Sequence, residues 1–170
     1  MGRYHFIAID PSISELGLAV FENFEITKIK RITGPKTVGA QEARRLKLLL
    51  GKLQQELFSL TRLGLQHGGW DLVIEWPEVY SSRKTDPNDL LLLAGVVGMI
   101  VGGFDWRRVY SYRPKEWKGQ VPKVVHNERT MKKMSDKILT ELKHIPGSYR
   151  HNVVDACGLA LFHKEALSEI

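Results

Sequence analysis

Three acidic residues in this chain stand where acids are costly. Asp10 closes the apolar run FIAID, Glu75 closes LVIE, and Asp155 interrupts HNVVDACGLAL. The first two runs are short, apolar and β-rich, and each leads into a proline-containing turn at Pro11 or Pro77. Each therefore reads as a buried strand with a carboxylate at its end. A carboxylate placed there costs free energy unless something neutralises it. Three of them from separate segments fit a cage for a hard, oxygen-binding divalent cation, Mg2+ or Mn2+. Plainer readings exist for two of the three. Asp10 also suits a turn ahead of a proline, and Asp155 suits the positive end of a helix. Glu75 has less of an alternative, because a buried glutamate seldom lacks a partner.

Asp155 lies in a predicted helix over 151–166. Asn152 and His151 precede it by three and four residues and share its helical face, so either one completes a metal site or caps the helix. A second constellation is cationic and aromatic. The segment YRPKEWKGQVPK carries Arg113, Lys115, Lys118 and Lys123 around Tyr112 and Trp117, and the loop after Glu75 adds Tyr80, Arg83 and Lys84. Cations of this kind contact phosphates, and aromatic rings stack on bases. The alternative is a solvated loop with Trp117 plugging the core. The charge balance favours nucleic acid: 25 Lys and Arg against 19 Asp and Glu give +6, with a pI near 9.5. His5, His67 and His144 lack ligand spacing, His163 is expected on a helix surface, and Cys157 reads as a small core residue. There is no GxxxxGK[ST] and no GxGxxG after a strand, so no nucleotide cofactor is expected.

Periodicity supplies the elements that must position these residues. Strands are predicted over 4–10, 16–22 and 25–33, then a helix over 39–63 with leucines at three- and four-residue spacing. A strand over 71–76 follows, then a helix over 89–103 capped by Asp86 or Asn88 with Pro87 in its first turn. A strand over 107–112, the basic loop, a helix over 126–143 and a break at 145–147 lead to the last helix. With 170 residues, 43% of them hydrophobic, the chain reads as a single domain over 1–170. One mixed sheet with helices on both faces is the economical arrangement. The apolar segment 90–104 is short of the roughly 18 residues a membrane span needs and is glycine-rich at its end. One cysteine allows no intrachain disulfide framework, and no targeting pattern is visible. An intracellular, cytoplasmic location is expected.

Taken in order, these segments resemble the RuvC-like Holliday-junction resolvases of the RNase H superfamily, in the compact form common in bacteriophages. FIAIDPSISELGLAV is similar to the family's opening strand and turn, and RRLKLLLGKLQQEL to the helix after the third strand. LVIEWPEVY is similar to its second catalytic strand, RVYSYRPKEWKGQVPK to its fifth strand and basic loop, and HNVVDACGLALFH to its terminal helix. The resemblance implies an α/β, RNase H-like mixed five-stranded sheet. It also implies a metal-dependent endodeoxyribonuclease that makes paired symmetric nicks in four-way DNA junctions. Two Mg2+ or Mn2+ ions per site, a homodimer, no membrane partner, and the cytoplasm of a bacterium or phage-infected host go with it. Asp10, Glu75 and Asp155 map onto three of the four catalytic acids. The fourth falls on Asn152, a departure, with His151 one residue away as its substitute; Ser12 stands where cellular enzymes usually have glycine. Segment 90–104 is expected either to form the dimer contact or to be buried in the monomer. The rival expectations are an RNase H-fold nuclease for hybrids or other branched nucleic acids, a junction-binding protein without catalysis, and a sugar-kinase-like ATPase, which the chain length disfavours.

Overall fold

Alternation of side chains decides how the first half of the chain folds. β1 (His5–Pro11), β2 (Glu15–Glu22) and β3 (Glu25–Thr33) form an antiparallel meander. The computed structural model describes residues 4–35, 42–60, 69–79 and 86–168. After the meander come α1 (Glu42–Leu60), β4 (Asp71–Glu75), α2 (Pro87–Gly102) and β5 (Arg108–Tyr112). Then follow α3 (Pro114–Trp117), α4 (Lys123–Lys132), α5 (Asp136–Lys143), a 3-10 turn (Gly147–Tyr149) and α6 (Arg150–Ser168). The sheet order is β3-β2-β1-β4-β5, with β4 parallel to both β1 and β5. β1 is therefore central and covered on both faces, which is why FIAI reads as unbroken hydrophobicity.

Each face of the sheet packs its own core. Phe6, Ala8, Ala19, Phe21 and Val73 meet Val153, Ala156, Cys157, Leu159 and Ala160 of α6, with Ile138 and Leu142 of α5 beyond. On the other face Ile7, Ile9, Leu18, Val20, Leu72 and Ile74 meet α1 through Leu49, Leu53 and Leu57, and α2 through Val96, Val97 and Ile100. Full burial of each large apolar side chain stabilises by about 1.5–3 kcal/mol. These layers hold the sheet ends in place. Asp10 and Glu75 share the α6 face, because each lies an even number of residues from an α6-facing neighbour, Ala8 or Val73.

Three expectations need correction. The helix foreseen over 126–143 is two helices, because Ser135 caps α5 by accepting the Ile138 N–H at 3.5 Å. The basic segment is not all loop. Pro114 starts the short α3, and Glu116 reaches back to accept the Arg113 N–H at 2.5 Å. His163 is not on a surface. It is 1% exposed, with Nε2 at 2.8 Å from the Tyr4 hydroxyl and Nδ1 at 2.8 Å from the Tyr112 hydroxyl. Cys157 is fully buried, and Asp86 caps α2 through the Asn88 N–H, as expected. α2 buries only Val96, Val97 and Ile100. Its outer face carries Leu91, Ala94, Gly95, Gly98, Met99 and Gly102, all exposed. Among the described residues no helix is long and apolar enough to cross a membrane.

Candidate metal centre

Parallel pairing brings two of the acids together. β1 and β4 run in register up to Ile9 and Ile74, so Asp10 and Glu75 emerge side by side at the carboxyl ends of adjacent central strands. That is where open α/β sheets place their sites. The third acid arrives on α6, and a glycine decides how close it comes. Asp10 pairs across the sheet with Gly17. A Cβ on Gly17 would lie 1.9 Å from the Asn152 carbonyl oxygen, so the first turn of α6 rests directly on the β2 backbone. Asp155, one turn further along α6, is thereby lowered onto the strand ends, where it is 3% exposed.

A second glycine on α6 admits the basic segment. A Cβ on Gly158 would meet the Trp117 ring at 2.9 Å and His126 at 3.0 Å. Trp117 fills that space, is 7% exposed, and donates its indole N–H to Glu75 at 3.1 Å. Its neighbour Lys118 therefore enters the acid cluster. Lys118 Nζ lies 2.9 Å from Glu75 Oε2 and 3.2 Å from Asp155 Oδ2, and 4.4 Å from the Trp117 ring centroid. Lys123 Nζ stands at 3.6 Å from the same Asp155 oxygen.

The electrostatics follow from this crowding. Burial, then the charges of Asp155 and Glu75, push the Asp10 carboxyl well above the usual aspartate range, against the pull of Lys118 and Lys123. Burial also raises the Glu75 carboxyl, although Lys118 opposes it. For Lys118 burial works against the charged form, yet Asp155, Glu75 and Asp10 outweigh it and hold the ammonium above the ordinary lysine range. A site with these demands wants positive charge.

The donor set fits a hard divalent cation in kind. All three acids are oxygen donors, and Asp155 Oδ1 is buried with no hydrogen-bond partner. The Lys118 ammonium stands in for such a cation between Glu75 and Asp155. Among the described residues, no three acid, histidine or cysteine side chains converge closely enough to chelate one ion.

No family model matches the chain, and no curated protein matches it. Solved structures do. Thermus thermophilus RuvC in complex with a Holliday junction substrate superposes with a TM-score of 0.58 at 15% identity, over 96% of each chain. A second structure of Thermus thermophilus RuvC gives 0.54 at 15% identity, over 97% of this chain and 96% of that one. The fold is RNase H-like.

Within this RuvC-like fold the expected residues part company. Asp10, Glu75 and Asp155 come together. Lys118 and Lys123, foreseen as contacts to a nucleic-acid backbone, both pair with the acids, Lys123 from a largely exposed position. Trp117 is packed against α6 and unavailable to stack on a base, so its core-plugging reading is the one observed. Arg113 and Lys115 are exposed at the same end, Lys115 paired with Glu78 at 2.9 Å. Tyr80, Arg83 and Lys84 lie outside the described residues. His151 does not reach the acids; its Nδ1 faces the Ser148 carbonyl at 3.1 Å. Asn152 is 6% exposed, and its Nδ2 donates to Glu15 Oε1 at 2.7 Å. Glu15 and its partner Arg31 escaped the sequence reading. The available signal was the alternation of ELGLAVFE, which sets Glu15 on the α6-facing side with Gly17 and Ala19.

Proposed function

We propose that this chain is a RuvC-like, divalent-metal-dependent endodeoxyribonuclease that resolves four-way DNA junctions. The observation that carries the reading is the pairing of Glu75 and Asp155 with the one Lys118 ammonium, with Asp10 beside them, next to a cationic segment in a RuvC-like fold. Thermus thermophilus RuvC is seen with a Holliday junction substrate, which supports branched DNA as the ligand class. The expected setting is the cytoplasm of a bacterium or phage-infected host.

Asp10, Glu75 and Asp155 would hold Mg2+ or Mn2+, two ions in the family's pattern, with Asn152 beside them. Bound ions supply charge neutralisation at the scissile phosphate and acidify the attacking water. The residues of the chain prepare for this. The rigid strand ends fix Asp10 and Glu75, so little reorganisation is needed when charge develops. Lys118 balances the acids and would have to leave them for ions to be held there. Once released, it and Lys123 find their natural anionic partner in a DNA backbone, joined by the exposed Arg113.

The outer face of α2 fits a two-fold dimer. A Cβ added to Gly95, Gly98 or Gly102 would meet nothing within 4 Å, so the monomer's own packing does not require these glycines. Leu91 is 70% and Met99 41% exposed on the same face. A smooth apolar helix face allows close approach of a second copy, and a C2 pair gives two nicks on a two-fold junction. Sedimentation should show a dimer for the wild type and a monomer for Gly98→Glu; a monomeric wild type contradicts this arrangement.

The deciding test is nicking of a synthetic four-way junction with Mg2+ or Mn2+, alongside linear duplex and an RNA–DNA hybrid. Symmetric nicks on the junction, absent in Asp10→Asn, support the reading. Cleavage of the hybrid alone moves the activity to RNA removal. Two contacts favour a second reading, a junction-binding protein without catalysis: Lys118 pairs with the acids, and Asn152 is engaged by Glu15. Tight junction binding without cleavage in either metal would select it.

A further inference from the structure

Asn152 is held by a chain of contacts that determines which of its two amide atoms is free. Its Nδ2 lies 2.7 Å from Glu15 Oε1, in a contact where both side chains are buried. A carboxylate has only acceptors to offer, so the amide nitrogen must face it and the carbonyl oxygen must face away. Glu15 cannot easily turn. Arg31 grips its other oxygen with Nε at 2.7 Å and Nη2 at 2.6 Å. Arg31 is in turn stacked on the Tyr149 ring, 3.6 Å from its centroid. The backbone of Asn152 is equally fixed, because its carbonyl oxygen rests on Gly17, the residue paired with Asp10. Asn152 also precedes Asp155 by three residues and so shares its side of α6.

Resting on the metal-centre reading above, we infer that Glu15 is a positioning residue that locks the Asn152 amide with its carbonyl oxygen toward the divalent cation. Position 152 is then an asparagine because of Glu15, not through loss of an acid. An aspartate at 152 would set two like-charged carboxylates at the 2.7 Å contact, where the amide donates instead. Glu15, held by Arg31, takes up the amide nitrogen, and a neutral oxygen is left for the ion. Outer partners of metal ligands act in this way, by fixing orientation.

The chemistry predicts an exchange experiment. In Glu15→Gln the new amide keeps its oxygen toward Arg31 and turns its nitrogen toward Asn152. Asn152 must then flip to accept, which aims its own N–H2 at the cation. Combining Glu15→Gln with Asn152→Asp repairs this, because the introduced glutamine donates to the introduced aspartate and one aspartate oxygen stays free. Binding of Mn2+ alone, by titration calorimetry on the full chain, is the readout, with urea unfolding to verify the fold.

Glu15→Gln should bind Mn2+ about tenfold or more weakly than wild type. The double variant should regain wild-type affinity or exceed it. Equal affinity of Glu15→Gln and wild type overturns the inference, as does a double variant no better than the single one. If Glu15→Gln does not fold, the double variant decides alone: wild-type affinity supports the lock, and a tenfold loss refutes it. Asp10→Asn separates the two levels. Wild-type binding by Asp10→Asn, or no binding by wild type, removes the metal centre and this inference with it. Binding lost in Asp10→Asn but unaltered by Glu15→Gln removes only the role of Glu15.

Discussion

Gly17→Ala tests the contact that assembles the site. The added Cβ would lie 1.9 Å from the Asn152 carbonyl oxygen, 2.2 Å from its carbon and 2.7 Å from the Val153 nitrogen. Carbon and oxygen approach to about 3.3 Å at closest in favourable contacts, so the start of α6 must retreat by about 1.4 Å. All three obstructing atoms are backbone, so no side-chain rotation relieves them. The retreat also lifts Val153 and Ala156 from the sheet core, where both are fully buried. Overpacking usually costs about 1–3 kcal/mol, and a backbone clash with helix displacement belongs at or above the upper end. The same shift carries Asp155 away from Asp10. A misplacement of about 1 Å at a catalytic group is worth roughly a hundredfold in rate. Urea unfolding should therefore show a loss of about 3 kcal/mol, and junction cleavage by the folded fraction should fall about a hundredfold. Gly51→Ala is the control. Its Cβ would meet nothing within 4 Å on the exposed side of α1, and helix propensity predicts a gain of up to about 1 kcal/mol. A Gly17→Ala protein within about 0.5 kcal/mol of wild type and fully active would refute the reasoning.

Three further outcomes are expected. Burial, Asp155 and Glu75 raise the Asp10 carboxyl in the folded chain, so its contribution to stability is present at low pH and lost as pH rises through the folded value. Metal-free Asp10→Asn should accordingly have a higher urea midpoint than wild type at pH 7, with the gap closing toward pH 4; an unchanged gap contradicts this. Lys118→Met leaves Glu75 and Asp155 without their shared cation and should destabilise the metal-free protein by about 2–3 kcal/mol, allowing for partial exposure. The same variant should gain more from added Mg2+ than wild type does, and an equal gain would deny Lys118 its stand-in role. His163 behaves in the opposite sense to Asp10: burial lowers its imidazole to about 4, against the mild pull of Asp71. Its contribution is complete above about pH 6.5 and drains away as pH falls toward 4, by about 3 kcal/mol in all. His163→Gln should lack that component of the pH dependence, as urea midpoints at pH 7 and 4.5 would show.

The strands and their succession along the chain were legible in the residues alone, and the reasons are local. FIAI and LVI are apolar without alternation because both sheet faces are covered, and the RuvC-like fold confirms that arrangement. A carboxylate at the end of such a run is chemically conspicuous wherever the run is placed. The break between α4 and α5 was harder to see, because the apolar spacing continues across Ser135 while the cap acts through a single hydroxyl. The residues alone marked three costly acids but passed over two that are buried, Glu15 and Asp71. Which partners they meet was decided only by the tertiary structure. Lys118 is 43 residues from Glu75 and 37 from Asp155 in sequence, and nothing in RPKEWKG says that Trp117 will seat on Gly158 and turn the lysine inward. Glu15 and Asn152, 137 residues apart, meet because Gly17 lets α6 touch the sheet. Burial is a property of a segment's own composition, whereas pairing between distant side chains depends on the close approach of backbones, and here two glycines set that distance.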